Sequence, residues 1–249
     1  MKILLTNDDG YNAENIQNLH KHLAKDHDVW IIAPKENCSG MSAAISYLNE
    51  IVVEKVSEKI YAVHGTPADC TYLGLLSIVD FEFDIVISGI NHGANIGNDV
   101  LYSGTVGAAL GGRNLKYPPI AISVASYDAK DIDFISVKSI EIIEKIVQSR
   151  EKFQGKVINI NFPDIHEKDF IGIKGTAVSR RAEPQKPILV DENDHDYKKY
   201  RYNYSGAPIQ EEYETDAQAL INGYVSVSIL DYSLNSKSFI NDLSLLLNE

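Results

Sequence analysis

The sequence predicts an α/β protein built on a mostly parallel sheet with helices on both faces. Three observations carry that expectation. Short apolar runs alternate with helix-like stretches through the first half of the chain, the pattern of βαβ units. Several of those runs are apolar throughout, as strands covered on both faces are. The first run ends in Asn7-Asp8-Asp9-Gly10, and open α/β sheets bind their ligands outside the carboxyl ends of their strands.

The elements follow in order. Lys2 to Leu5 and Thr6 read as a buried strand. Ile16, Leu19 and Leu23 mark one face of a helix ending near Asp26. Val29 to Ala33 is the next strand, stopped by Pro34. Glu50 to Glu54 and Lys59 to Val63 read as two shorter strands. Gly65-Thr66-Pro67-Ala68-Asp69 is a helix start, with Thr66 as N-cap, Pro67 at N1 and Asp69 at N3. Its helix runs on through Leu73, Leu75 and Leu76. Asp84 to Ser88 is a further buried strand, a helix starts near Ser103, and Ile120 to Val124 follows as a strand. Phe134 to Val147 reads as an amphipathic helix and Val157 to Asn161 as one more strand.

The second half changes character. From Arg180 to Glu214 the chain is polar, proline-spaced and rich in tyrosine. Tyr200, Tyr202 and Tyr204 alternate with polar residues, as in an exposed hairpin. So long an excursion serves as a lid or a partner-binding arm. Thr215-Asp216 caps a short helix ending at Gly223, and Tyr224 to Leu230 alternates like a strand. A last helix carries Phe239, Ile240, Leu243, Leu246 and Leu247 on one stripe.

The totals exclude several functions. A net charge of −12 over 249 residues leaves no broad basic surface for a nucleic-acid polymer. No apolar run approaches the roughly 20 residues of a membrane span. Charged residues come within the first ten positions, unlike a secretory signal. Cys38 and Cys70 have neither metal spacing nor a disulfide framework, so a reduced, cytoplasmic setting is expected.

Three strand ends supply the chemistry. The first carries Asp8 and Asp9, the second Asn37 to Ser42, and the third Ser88 to Gly97. Two adjacent carboxylates repel unless a cation lies beside them. Asp8, Asp9, a serine hydroxyl and an asparagine amide oxygen form an all-oxygen set, which suits Mg²⁺ or Mn²⁺ rather than zinc. Singly, Ser39 or Asn91 is an ordinary turn residue; their joint placement carries the argument. Tyr102 to Ala109 opens an apolar helix with hydroxyls and glycines, so that free backbone N–H groups face a phosphate. His92 reads as a solvated loop histidine.

Four stretches at compatible spacing then identify a resemblance. They are Thr-Asn-Asp-Asp-Gly at 6–10, Gly-Thr-Pro-Ala-Asp-Cys at 65–70, Ser-Gly-Ile-Asn at 88–91 and Tyr-Ser-Gly-Thr-Val at 102–106. With Thr215-Asp216 and Gly223 to Val227, the chain resembles the SurE family of survival-protein nucleotidases. The resemblance implies a Rossmann-like, three-layer fold over a single domain, 1–249. It adds an arm at about 180–214 and a tail at about 231–249, both in subunit contacts of a homodimer or homotetramer. It implies a metal-dependent phosphatase acting on nucleoside monophosphates. Asp8, Asp9, Ser39 and Asn91 match the metal ligands, with Asp8 or Asp9 orienting or deprotonating the attacking water. Asn95, Ser103, Gly104 and Thr105 match the phosphate-side positions. Two rivals stay open at this point: a receiver-like phosphoryl-signalling module, and a nucleotide-binding protein without chemistry.

Overall fold

In the computed structural model, which describes residues 1–193, 197–203, 206–232, 244 and 246–247, the sheet is ordered around its first strand. That strand, β1 (Lys2–Thr6), leads through α1 (Glu14–Leu23) to β2 (Asp28–Pro34), β3 (Val53–Ser57) and β4 (Ile60–Val63). Next come α2 (Pro67–Leu73), β5 (Ile85–His92), α3 (Gly104–Leu110), β6 (Ile120–Val124), α4 (Ile132–Gln148) and β7 (Lys156–Phe162). The second half supplies β8 (Ile173–Thr176), β9 (Ile188–Asn193), β10 (Tyr197–Arg201), α5 (Asp216–Ile221) and β11 (Val225–Asp231).

Nine strands form one sheet in the order β3-β4-β2-β1-β5-β6-β7-β11-β8. From β4 to β7 all neighbours run parallel; β3 and β11 are antiparallel to theirs, and β8 runs parallel to β11. The chain builds outward from β1 to one side and then returns at β5 to build the other. The crevice between β1 and β5 is therefore the topological switch point, where ligands bind in such sheets.

Side-chain alternation builds three layers. Ile3 and Leu5 of β1 join Ile16 and Leu19 of α1 and Ile135 and Ile143 of α4 in one core. Leu4, between them, turns to the other face and joins Cys70 of α2 with Ile32 and Val86. The two-residue strand period thus covers both faces with helices. α2 begins as its residues dictate: Thr66 accepts from the Asp69 amide at 3.1 Å while Asp69 accepts from the Thr66 amide at 2.9 Å.

Several elements depart from the sequence expectation. β3 begins at Val53 rather than Glu50, because its ladder with β4 opens at the Val53–Val63 pair. β5 does not stop at Ser88. A register shift after Ser88 lets the strand resume pairing, Asn91 with Ser123 and His92 with Val124. Asn91 and His92 are therefore strand residues, not loop residues. β8 is short, glycine-containing and half polar, and its alternation is too weak to read in advance. The expected hairpin is present as β9 and β10, although Tyr202 follows the second strand. Tyr204, and Phe239, Ile240 and Leu243 of the final stripe, lie outside the described residues; Leu246 and Leu247 are exposed. Among the described residues no helix is long and apolar enough to cross a membrane.

Candidate active site

β1 delivers Asp8 and Asp9 to the switch point, and β5 delivers Asn91 beside them. A cleft of about 460 Å³ there is lined by Asp8, Asp9, Ser39, Asn91, Asn95 and Ser103, with Asn37, His92, Asp99, Tyr102 and Tyr127 among its other walls. All four positions of the metal-type set meet in this cleft. Of the four phosphate-side positions, Asn95 and Ser103 line it, whereas Gly104 and Thr105 stand behind its wall. A larger cavity of about 700 Å³ lies at the opposite ends of the strands, between Lys2, Phe83, Asp84 and Lys116, away from every one of these residues.

Asp8 is the buried member of the acidic pair, 3% exposed. Burial raises its carboxyl pKa to about 6; the Thr105 hydroxyl opposes that shift and the neighbouring Asp9 charge adds to it. Thr105 Oγ1 donates to Asp8 Oδ1 at 2.6 Å. Asp9 is held differently. Its Oδ2 lies 3.1 Å from His92 Nδ1 and accepts the His92 backbone amide at 3.3 Å, while Asn37 Nδ2 donates to Oδ1 at 3.4 Å. His92, read from sequence as a solvated loop residue, is thus half-buried against an acid of the site.

α3 is placed by its glycines. Ser103 caps it, accepting from the Val106 amide at 3.1 Å. A Cβ on Gly104 would stand 2.9 Å from Asp8 Cβ, so only glycine lets the helix start press against the acid. A Cβ on Gly107 would stand 2.2 Å from the Ser42 carbonyl oxygen. That approach seats the Ser39 loop over α3, and Ser42 then ties the loop down by donating to the Leu101 carbonyl at 2.7 Å.

Asn95 is fixed by groups the sequence reading passed over. Its amide nitrogen donates to Ser123 Oγ at 2.9 Å and to Thr105 Oγ1 at 3.3 Å. Its backbone carbonyl accepts from Asn159 at 2.8 Å and from Asn161 at 3.0 Å, and its backbone amide donates to Asn161 at 2.8 Å. Asn159 and Asn161 lie two apart on one face of β7 and are fully buried. Two buried amides in an apolar strand were the available signal, since such groups need partners. The far side of the loop is held by Asp216, whose Oδ2 accepts the Gly97 amide at 2.9 Å.

The donor set fits a hard divalent cation. Among the described residues lining the cleft there are three carboxylates and one histidine, with no lysine or arginine. Asn91 donates its amide nitrogen to the Gly93 carbonyl at 2.7 Å, which leaves its amide oxygen as the acceptor end. Two adjacent acids, a hydroxyl and an amide oxygen are magnesium- and manganese-type ligands. An anionic phosphate approaching these acids needs such a charge beside it.

Known proteins bear on this arrangement. The family model described as Survival protein SurE matches residues 3–185. A protein of Vesicomyosocius okutanii named 5'-nucleotidase SurE is 35% identical, with 100% of this chain and 98% of that protein covered. One of the same name from Actinobacillus pleuropneumoniae is 39% identical, over 92% of each chain. The crystal structure of the SurE protein from Aquifex aeolicus superposes with a TM-score of 0.85 at 31% identity, covering 99% of both chains. Fold, strand-end acids and full-length likeness agree, and the chain belongs to the SurE family.

Proposed function

We propose that this protein hydrolyses nucleoside 5'-monophosphates to nucleoside and phosphate, acting as a metal-dependent phosphomonoesterase. One observation carries the reading: Asp8, Asp9, Ser39 and Asn91 share a cleft with Asn95 and Ser103, in a chain alike over its whole length to proteins named 5'-nucleotidase. Asp8, Asp9, Ser39 and Asn91 would hold one Mg²⁺ or Mn²⁺. A cation held there would supply Lewis acidity and offset charge developing on phosphate. Asp8 or Asp9 orients or deprotonates the attacking water. Ser103 and Asn95, which line the cleft, take phosphate oxygens, and Gly104 and Thr105 seat them from behind its wall. Asn95 exchanges its longer bond, 3.3 Å to Thr105, for another.

We take residues 1–249 as one α/β domain that works as a homodimer or homotetramer in the cytoplasm. The arm, about 180–214, supports that assembly. β9 and β10 pair with each other outside the main sheet and expose Ile188, Leu189, Val190, Tyr197 and Tyr200, residues that interfaces favour when clustered. The tail, about 231–249, is the second contact.

The test is phosphate release from 5'- and 3'-monophosphates of each base with Mg²⁺, Mn²⁺ or EDTA. Release from the 5' series with metal, abolished by EDTA, is expected. Absence of release from every nucleotide with either metal overturns the reading. A lasting phosphoryl adduct on the protein, without turnover, favours a receiver-like module instead.

A further inference from the structure

The acids and Ser103 lie deep in the cleft, but its mouth carries two rings. Tyr102 is 68% exposed and Tyr127 is 86% exposed, and both line the cleft. Rings normally bury most of their large apolar surface, and neither of these packs on another ring among the described residues.

Their backbones are nevertheless held. The Tyr102 carbonyl accepts the Ser42 amide at 3.1 Å. Tyr127 sits in a turn where Ser126 Oγ donates to the Asp128 carbonyl at 2.8 Å, and the Ser126 carbonyl accepts the Gly93 amide at 3.1 Å. The tip of the Tyr127 ring lies about 4.0 Å from where a Cβ on Gly93 would stand, so it borders the loop that follows Asn91 and His92. Two exposed rings on fixed backbone, above a buried polar floor, match a ligand with an anionic head and a flat, apolar far end.

Asp99 lines the same cleft. Its Oδ2 is 3.3 Å from Arg181 Nη2, so a cation from the root of the arm holds this carboxylate at the cleft. A fixed carboxylate beside a sugar accepts hydrogen bonds from ribose hydroxyls, as in dinucleotide sites.

We propose that Tyr102 and Tyr127 form the nucleoside half of the site by stacking on the base, and that Asp99, held by Arg181, accepts hydrogen bonds from the ribose hydroxyls. The proposal rests on the phosphomonoesterase reading above. Stacking tolerates any base because every base has a π-face, so selectivity runs by ring area and sugar rather than by base identity. Purine nucleotides are preferred to pyrimidine nucleotides, and ribonucleotides to deoxyribonucleotides.

The experiment compares KM for AMP with inhibition by inorganic phosphate, which probes the floor of the cleft alone. Tyr102→Leu with Tyr127→Leu should raise KM for AMP about tenfold or more, while the phosphate inhibition constant stays in place. Tyr102→Phe with Tyr127→Phe keeps the rings and should restore KM. Asp99→Asn should lower the preference for AMP over dAMP several-fold. An unmoved KM in the leucine pair overturns the proposal. So does an equal shift in KM and phosphate inhibition, which signals general damage to the cleft. Failure of the underlying reading is distinct: the unaltered protein then releases no phosphate from AMP at all.

Discussion

Asp216 accepts the backbone amide of Gly97, 119 residues away, at 2.9 Å. Its other oxygen accepts the Ser179 amide at 3.0 Å and the Ala217 amide at 2.7 Å. One fully buried carboxylate therefore joins the first turn of α5, the root of the arm and the loop that carries Asp99. Asp216→Ala leaves these amides without an acceptor in a dry environment. A buried donor stripped of its partner costs about 1–3 kcal/mol, so a stability loss of at least about 2 kcal/mol is expected. Asp216→Asn keeps one acceptor oxygen and should fall between. Urea unfolding of the three proteins checks the order; an alanine variant as stable as the parent excludes the tie as a stabilising element.

Gly104 sits where α3 meets Asp8, and the contact sets the sign of a substitution. Alanine is the better helix former by about 1 kcal/mol. Its Cβ, however, would lie 2.9 Å from Asp8 Cβ and 3.0 Å from Asp8 Oδ2, and Asp8 Cβ is fixed by the buried end of β1. Overpacking of that kind costs about 1–3 kcal/mol, so Gly104→Ala should be mildly destabilising. It should also weaken Mn²⁺ binding, because the acid must move. Calorimetric Mn²⁺ titration and a thermal melt measure both.

The burial of Asp8 makes a prediction about pH in the metal-free protein. Its folded pKa, about 6, lies above the ordinary 3.8. The folded state therefore holds the proton more tightly than the unfolded chain. The stabilising contribution is complete below about pH 4 and is lost as pH rises through about 6. The gap of about two pH units corresponds to roughly 3 kcal/mol. In EDTA, the parent minus Asp8→Asn difference in unfolding free energy should fall by that order between pH 4 and pH 7. Taking the difference removes the common slope of the other acids. A flat difference would mean that Asp8 keeps water around it. Near pH 7, with saturating metal, Asp8→Asn and Asp9→Asn should both fold and lose most activity.

What was legible beforehand was local. The Asp8-Asp9 turn follows its strand directly, and the Thr66–Asp69 capping box spans four residues, so both are written in neighbouring positions. The sheet order placed Asp8 and Asn91 together because β1 and β5 are neighbours at the switch point. The Asp216–Gly97 bond and the grip of Asn159 and Asn161 on Asn95 were not legible. Each depends on which distant segments the folded chain brings together. β5 was read too short because its apolar run gives way to Ser88 and Gly89, where the ladder with β6 shifts register before pairing resumes at Asn91. Thr105 matched a phosphate-side position, yet its hydroxyl is spent on Asp8, a contact set by the depth of α3 rather than by any motif.

The arm gives the last prediction. β9 and β10 contribute no strand to the nine-stranded sheet, so their removal leaves the core and cleft walls in place. The root must stay, because Arg181 holds Asp99 at the cleft. Replacing residues 186–203 with a short glycine-serine linker should therefore give a protein that melts within a few degrees of the parent and still hydrolyses AMP. Ile188, Leu189, Val190, Tyr197 and Tyr200 are exposed on the arm, and burying such side chains stabilises by about 1.5–3 kcal/mol each when fully covered. Their loss should lower the assembly state, taking a tetramer to a dimer. Truncation after Asp231 should lower assembly and stability together. Light scattering at micromolar concentration reads both. A parent protein that is monomeric, or an arm-deleted protein with unchanged mass per particle relative to its chain, removes the arm from subunit contacts.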